Sequence, residues 1–166
     1  MYQTSRWLLT CICGFCILAS VNSVAQQDSQ GAAATSADPV IEKQLRDTIS
    51  LWGGAWAAQI ADAYFEFYSA RYIAPGFDSR EAWMADRRRR IEEPDYIRIR
   101  LLDFELVETS ELLIGQQIAT TRFTLIYERP GYSDRTYKEL EMLNTGDGWK
   151  ITSEENLRVE QESPSN

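Results

Sequence analysis

The spacing of the apolar residues changes at Pro94, and this change restricts the fold more than any other feature of the chain. Before Pro94, apolar side chains recur every three or four residues, as they do on one face of a helix. After Pro94 they alternate with polar residues, as in strands that bury one face. Helices followed by a run of strands favour an α+β domain. We therefore predict N-terminal helices packed on a curved, cone-like antiparallel sheet.

The ends of the predicted helices are marked by capping and breaking residues. Asp38-Pro39 combines a preferred N-cap with a proline suited to the first helical position. Gly53-Gly54 should weaken or bend this helix. Asp78 and Glu81 form a capping box for a later helix, which should end before Pro94.

The second half of the chain is predicted to form an antiparallel meander. The expected strands are residues 97–106, 118–127, 136–143 and 149–155. A bulge is expected at Leu102-Asp103, where the alternation slips by one residue. Pro130-Gly131 should begin a turn that extends to about Asp134, and residues 144–148 should form another.

The N-terminus has the features of a secretory signal. Arg6 precedes an apolar run from Trp7 to Val21, which is shorter than the roughly 20 residues that a membrane-spanning helix needs. Ser23-Val24-Ala25 then supplies small residues for cleavage. We predict a signal peptide over residues 1–25 and a periplasmic or secreted mature protein. An uncleaved anchor and a lipoprotein cysteine are the alternatives.

Cleavage after Ala25 would leave a domain without disulfides. All three cysteines lie inside the apolar run, namely Cys11, Cys13 and Cys16. Residues 26–37 are rich in Gln, Ser, Ala and Gly, which predicts a disordered linker. The folded domain should then occupy residues 38–158, followed by a disordered tail over residues 159–166.

Charge and composition argue against several kinds of site. The net charge of −8 is unfavourable for a nucleic-acid surface. The chain has no histidine, the commonest general base and metal ligand. It also lacks a nucleophile elbow and a phosphate loop. We predict no nucleic-acid partner, no metal site and no cofactor.

Two aromatic pairs lie four residues apart and therefore share helix faces. They are Trp52 with Trp56, and Tyr64 with Tyr68. Core packing is one interpretation, because these side chains bury large areas. The other is that one or two phenol hydroxyls line a pocket between helix and sheet.

Trp83 and Arg87 form a third pair at the same spacing. They are either an amphipathic packing pair or the edge of a pocket in which the guanidinium receives a carboxylate. The basic run Arg87–Arg90 points around most of the helix and does not form one patch.

The segment Tyr127–Arg135 places Tyr, Arg and Asp side chains together around the predicted turn at Pro130-Gly131. Such residues are typical of turns in general. A recognition loop is the alternative interpretation.

These residues together resemble the nuclear transport factor 2-like superfamily. Within it the chain is similar to the C-terminal module of bacterial L,D-transpeptidases and cell-shape peptidoglycan carboxypeptidases. The motifs that carry the resemblance are Trp52-x3-Trp56, Asp62-x-Tyr64-x2-Phe67-Tyr68, Ser79-x3-Trp83-x3-Arg87, Tyr132-Ser133-Asp134 with Lys138, and Gly148-Trp149-Lys150-Ile151. The resemblance implies a curved sheet around a long helix, a conical pocket and a cell-envelope setting.

The resemblance does not carry a catalytic activity with it. The Cys- and His-bearing catalytic domain of those enzymes has no counterpart in these residues, and dehydratase relatives in the superfamily use a histidine that this chain lacks.

We therefore predict a non-catalytic, exported module that binds a small polar ligand or a cell-wall or protein segment. The predicted ligand-binding residues are Tyr64, Tyr68, Trp83, Arg87 and Tyr127. One alternative is a small isomerase-like enzyme, which would need a buried carboxylate base with a raised pKa. The other is a structural domain that forms a homodimer through the open sheet face.

Overall fold

The computed structural model describes residues 38–113 and 115–162, in which three helices precede a four-stranded antiparallel sheet. The helices are α1 (Pro39–Ala57), α2 (Ala61–Phe65) and α3 (Arg80–Glu92), and the strands are β1 (Arg98–Leu113), β2 (Gln116–Arg129), β3 (Tyr132–Asn144) and β4 (Trp149–Glu162). The strand order β1-β2-β3-β4 makes the sheet a simple meander. The α+β prediction is confirmed, whereas the predicted signal and linker lie outside the described residues.

Helix α1 begins as the sequence predicts and runs through both glycines to Ala57. The Asp38 carboxylate accepts a hydrogen bond from the backbone N–H of Val40 at 2.8 Å. The helix continues through Gly53, where a Cβ atom would lie 3.1 Å from Leu101 Cδ1 and 3.3 Å from Ile99 Cγ2. The absent side chain therefore lets α1 approach β1 closely.

Helix α3 starts one residue later than predicted. Its N-cap is Ser79, whose hydroxyl accepts a hydrogen bond from the backbone N–H of Ala82 at 3.1 Å. The prediction of Asp78 as the cap was wrong, because the extended backbone of Ser79 supplies the cap geometry. The helix ends at Glu92, before Pro94, as predicted.

Gln59 connects the ends of α1 and α3. Its backbone has a φ of 58°, a conformation that is uncommon outside glycine. Its side-chain Nε2 donates hydrogen bonds to the carbonyls of Ile91 at 2.9 Å and Pro94 at 2.7 Å. This contact fixes the C-terminal end of α3 against the end of α1.

Gln59→Ala is expected to lower the free energy of unfolding by about 1–3 kcal/mol, because two carbonyls lose their partner. Gln59→Gly removes the same bonds but relieves the left-handed backbone, and it should be more stable than the alanine variant by about 1 kcal/mol. Urea unfolding measures both. An alanine variant as stable as wild type would show that this contact contributes nothing.

The turn between β2 and β3 is tighter than predicted. Only Pro130-Gly131 lies outside the strands, with Gly131 at a φ of 71°. The segment Tyr132–Asp134, predicted as turn, lies in β3 and pairs with β2. The bulge at Leu102-Asp103 is confirmed, since Asp103 has a φ of 54° at a register shift.

Strand β4 contains two register shifts, which change the residues that face the helices. Met142 pairs with Ile151, but Glu141 pairs with Ser153, so one extra residue lies between the two pairs. The extra residue moves Glu154 to the inner face. The strand continues to Glu162, so residues 159–162, which the sequence assigned to a tail, extend the sheet.

The core between helices and sheet is dominated by aromatic side chains. Trp52 is fully buried, with its ring centroid 5.6 Å from that of Trp56, 5.8 Å from Tyr64 and 6.2 Å from Phe123. These ring contacts join α1 and α2 to β2. Among the described residues, no helix is long and apolar enough to cross a membrane.

Candidate ligand-binding site

A cavity of about 700 Å³ lies between α3 and the inner face of strands β2 to β4. This volume falls in the usual range for small-molecule sites. The lining residues are Trp56, Arg87, Arg89, Arg90, Glu93, Pro94, Leu125, Tyr127, Arg129, Tyr132, Asp134, Thr136, Lys138, Glu154 and Asn156.

The cavity is basic although the chain is acidic. Five of its lining side chains are cationic, namely Arg87, Arg89, Arg90, Arg129 and Lys138. Three are carboxylates, namely Glu93, Asp134 and Glu154. The excess of cations contrasts with the net charge of −8 for the whole chain. This local charge favours an anionic ligand.

Arg87 is a cavity-lining cation that lies beside two rings of the aromatic core. Its guanidinium carbon lies 5.4 Å from the ring centroid of Trp56 and 5.8 Å from that of Tyr64. Within the described part of the chain, no group accepts a hydrogen bond from Arg87 or forms an ion pair with it. By contrast, Arg89 and Arg90 both pair with Asp86.

The Arg87 guanidinium remains charged in this setting. Burial lowers the pKa of Arg87, but the neighbouring Tyr64 phenol and the Glu154 carboxylate raise it above its ordinary value. A charged guanidinium whose N–H groups have no acceptor among the described residues can donate them to a ligand.

A hydrogen-bonded ion pair forms the floor of the cavity. Glu154 Oε1 accepts a hydrogen bond from Lys138 Nζ at 2.5 Å, and Glu154 Oε2 accepts one from the Tyr68 hydroxyl at 2.6 Å. Lys138 Nζ also donates to Asn156 Oδ1 at 2.7 Å. The side chains of Lys138 and Glu154 are 5% and 8% exposed. Both oxygens of the buried carboxylate therefore have donors, as a buried charge requires.

The phenol of Tyr68 joins this floor to the core. Its oxygen lies 2.5 Å from that of Tyr64 and accepts a hydrogen bond from Trp52 Nε1 at 3.2 Å. Hydrogen bonds between β4 and the segment after α2 hold Tyr68 in place, from Ser69 N–H to the Ile151 carbonyl and from Ile151 N–H to the Phe67 carbonyl. Burial raises the pKa of both Tyr64 and Tyr68, which keeps the phenols neutral at ordinary pH.

The pKa of the Glu154 carboxyl lies below its ordinary value in the folded protein. Burial alone would raise its pKa, but the charges of Lys138 and Arg87, with hydrogen bonds from Lys138 and Tyr68, lower it to about 2. Glu154 is therefore ionised at neutral pH and is a weak proton acceptor.

The residues predicted for the site lie at different depths. Arg87 and Tyr127 line the cavity. Tyr64 and Tyr68 are 0% and 3% exposed and lie behind the lining. Trp83 is 1% exposed and packs in the core against Phe65, Tyr68 and Tyr72, and its Nε1 has no partner among the described residues. The structure thus brings Arg87 and Tyr127 to one surface and places the other three beneath it.

Sequence reasoning missed the polar floor of Lys138, Glu154 and Asn156. Lys138 could have been found, because it occupies an inward position in the alternating pattern between Thr136 and Leu140. Within residues 38–113 and 115–162, no group of three Asp, Glu, Cys or His side chains could hold a metal ion.

Comparison with known families identifies the fold. The model of the Cds6 C-terminal NTF2-like domain matches residues 44–155. The chain belongs to this family. The NTF2-like resemblance drawn from the sequence is confirmed, and the helices packed on a four-stranded antiparallel sheet are the NTF2-like architecture.

Two similar structures come from larger bacterial proteins. Bd1075 of Bdellovibrio bacteriovorus is 25% identical with a TM-score of 0.58, over 74% of this NTF2-like chain and 41% of its own. Pgp2 of Campylobacter jejuni, a helical cell shape determining protein, is 17% identical with a TM-score of 0.60, over 67% of this chain and 39% of its own. The chain therefore spans about two fifths of each of these proteins.

A third structure shows the fold alone. A conserved protein from Planctomyces limnophilus is 12% identical with a TM-score of 0.52, over 74% of this chain and 98% of its own. No curated protein matches the chain.

Proposed function

We propose that this NTF2-like domain is an exported, non-catalytic binding module of the bacterial cell envelope, and that its cavity holds the carboxylate of a cell-wall fragment. One observation carries the proposal. Arg87 is a charged guanidinium that lines the cavity, and no acceptor in the described chain is bound to it.

The setting of Arg87 suits a carboxylate. The guanidinium lies within cation–π range of the Trp56 and Tyr64 rings, which favours its charged form at the edge of the aromatic core. A planar guanidinium can then donate two parallel hydrogen bonds to one carboxylate. Tyr127 and Leu125 provide an apolar wall beside it, which would contact the uncharged part of the ligand.

Two independent features support the cell envelope as the setting. The signal-like N-terminus predicts export. The fold is shared with Pgp2, which is a cell shape determining protein, and with Bd1075 at 25% identity. Peptidoglycan fragments carry free carboxylates and are therefore the proposed ligand class.

The properties of Glu154 favour binding over proton transfer. An isomerase-type enzyme would need a buried carboxylate whose pKa is raised toward neutrality. The pKa of Glu154 is instead lowered, because Lys138 and Arg87 stabilise its charge.

Arg87→Lys tests the proposal. Lysine keeps the charge but cannot form the paired hydrogen bonds, so the Kd for purified muropeptides should rise by about tenfold or more in isothermal titration calorimetry. The melting temperature should change little, because Arg87 forms no ion pair with the described chain.

The matched control is Arg88→Lys. Arg88 is the next residue of α3, pairs with Asp62 and Glu92, and does not line the cavity. This variant should bind muropeptides as wild type does. Muropeptide binding that is absent in wild type, or unchanged in Arg87→Lys, would contradict the proposal.

A further inference from the structure

Arg87 and Glu154 carry opposite charges in the same cavity, yet they do not pair. Both residues line the cavity, and the same pair of tyrosines lies beside them. The Arg87 guanidinium lies over the Tyr64 ring, and the Tyr64 hydroxyl contacts that of Tyr68. Glu154 is bonded to the same Tyr68 hydroxyl. Although both residues are described, no N···O distance within 4.0 Å joins them. Opposite charges attract, so the contacts that hold Glu154 decide whether its carboxylate can reach Arg87.

Lys138 is the group that engages Glu154. It donates to Oε1, while Tyr68 occupies Oε2, so the carboxylate is held at both ends. Lys138 is itself anchored by Asn156 and is only 4% exposed. The ammonium therefore fixes the Glu154 carboxylate on the β3–β4 side of the cavity, opposite α3.

We propose that Lys138 is a positioning residue that holds Glu154 away from Arg87, so that the Arg87 guanidinium stays free for an anionic ligand. Without Lys138, the Glu154 carboxylate keeps only the hydrogen bond from the neutral Tyr68 hydroxyl. Arg87 is then the cation with the strongest electrostatic effect on Glu154. A carboxylate within the chain has a high effective concentration and would occupy the place of the ligand. The effect on binding rests on the proposed function, whereas the position of Glu154 does not.

Three variants separate this role from direct contact between Lys138 and the ligand. Lys138→Met should raise the Kd for purified muropeptides by about tenfold or more, because Glu154 turns to Arg87. The double variant Lys138→Met with Glu154→Gln removes the competing charge and should return the Kd to within about threefold of wild type. Glu154→Gln alone is the reference for the double variant, because it removes the same carboxylate while Lys138 stays in place. A double variant that binds as weakly as Lys138→Met would overturn the proposal.

A readout without ligand tests the position of Glu154 directly. In ¹⁵N NMR, the Arg87 Nε–H signal, assigned with Arg87→Lys, should shift and exchange more slowly with water in Lys138→Met, as an ion pair forms. The double variant should restore the wild-type signal. An unchanged signal in Lys138→Met would refute the positioning role. A changed signal, with no muropeptide bound to wild type, would refute the proposed function and leave the role of Lys138 intact.

Substitution of a buried lysine can prevent folding, so circular dichroism of each variant precedes both experiments. If Lys138→Met does not fold, Lys138→Gln takes its place, because glutamine removes the charge but keeps an N–H donor. Lys138→Gln, alone and in a double variant with Glu154→Gln, is then expected to give the results stated above for Lys138→Met. The same contrary results would overturn the proposal.

Discussion

Trp52→Ala is expected to lower the free energy of unfolding by about 3–5 kcal/mol, the range for deleting a large buried aromatic side chain. Trp52 is fully buried and contacts the rings of Trp56, Tyr64 and Phe123. Its indole N–H also donates to Tyr68, so the variant leaves a cavity and removes a hydrogen bond beneath the site. Urea unfolding followed by circular dichroism measures the change.

The neighbouring Leu51→Ala is the control for this substitution. Leu51 lies on the same helix but is 65% exposed, and alanine is a good helix former. Its unfolding midpoint should stay close to that of wild type. Equal midpoints for Trp52→Ala and Leu51→Ala would mean that Trp52 does not hold the helices to the sheet.

The second large effect is a loss of stability in acid that depends on Glu154. The folded pKa of about 2 lies below the ordinary value of 4.5, so the unfolded chain binds the proton more readily. The resulting stabilisation is complete above pH 4.5 and is lost as the pH falls toward 2. The difference between the two pKa values corresponds to roughly 3 kcal/mol.

Glu154→Gln isolates this contribution from that of the other carboxylates. The variant should be less stable than wild type at pH 7 by roughly 3 kcal/mol, and the two stabilities should converge near pH 2. Urea unfolding at a series of pH values gives both curves. Glu155→Gln, at an exposed neighbouring position, should follow wild type throughout. A gap between wild type and Glu154→Gln that does not change with pH would disprove the linkage.

The sequence predicts the fold well because most of its signals are local. The change of period at Pro94 separates helices from strands, and Asp38 and Leu102-Asp103 mark a helix cap and a bulge that the structure confirms. The cap of α3 was misplaced by one residue because Asp78 and Ser79 are both good N-caps, and only the backbone conformation distinguishes them.

The candidate site was harder to predict, because its geometry depends on strand register. Simple alternation from Ile151 places Ser153 and Glu155 on the inner face and leaves Glu154 outside. The extra residue before Ser153 places Glu154 on the inner face instead. The local composition of the strand does not predict this extra residue. Trp83 and Arg87 share a helix face as predicted, yet the spacing could not show that only Arg87 reaches the cavity.

The tight hairpin at Pro130-Gly131 makes one wall of the cavity rigid, namely the wall lined by Tyr127, Tyr132 and Asp134. Tyr127 and Asp134 face each other across a continuous ladder of backbone hydrogen bonds, so this wall belongs to the sheet and is not a loop. A wall that is ordered in the free protein loses little conformational entropy when a ligand arrives. Affinity can therefore come from few contacts, and association can proceed without a slow closing step.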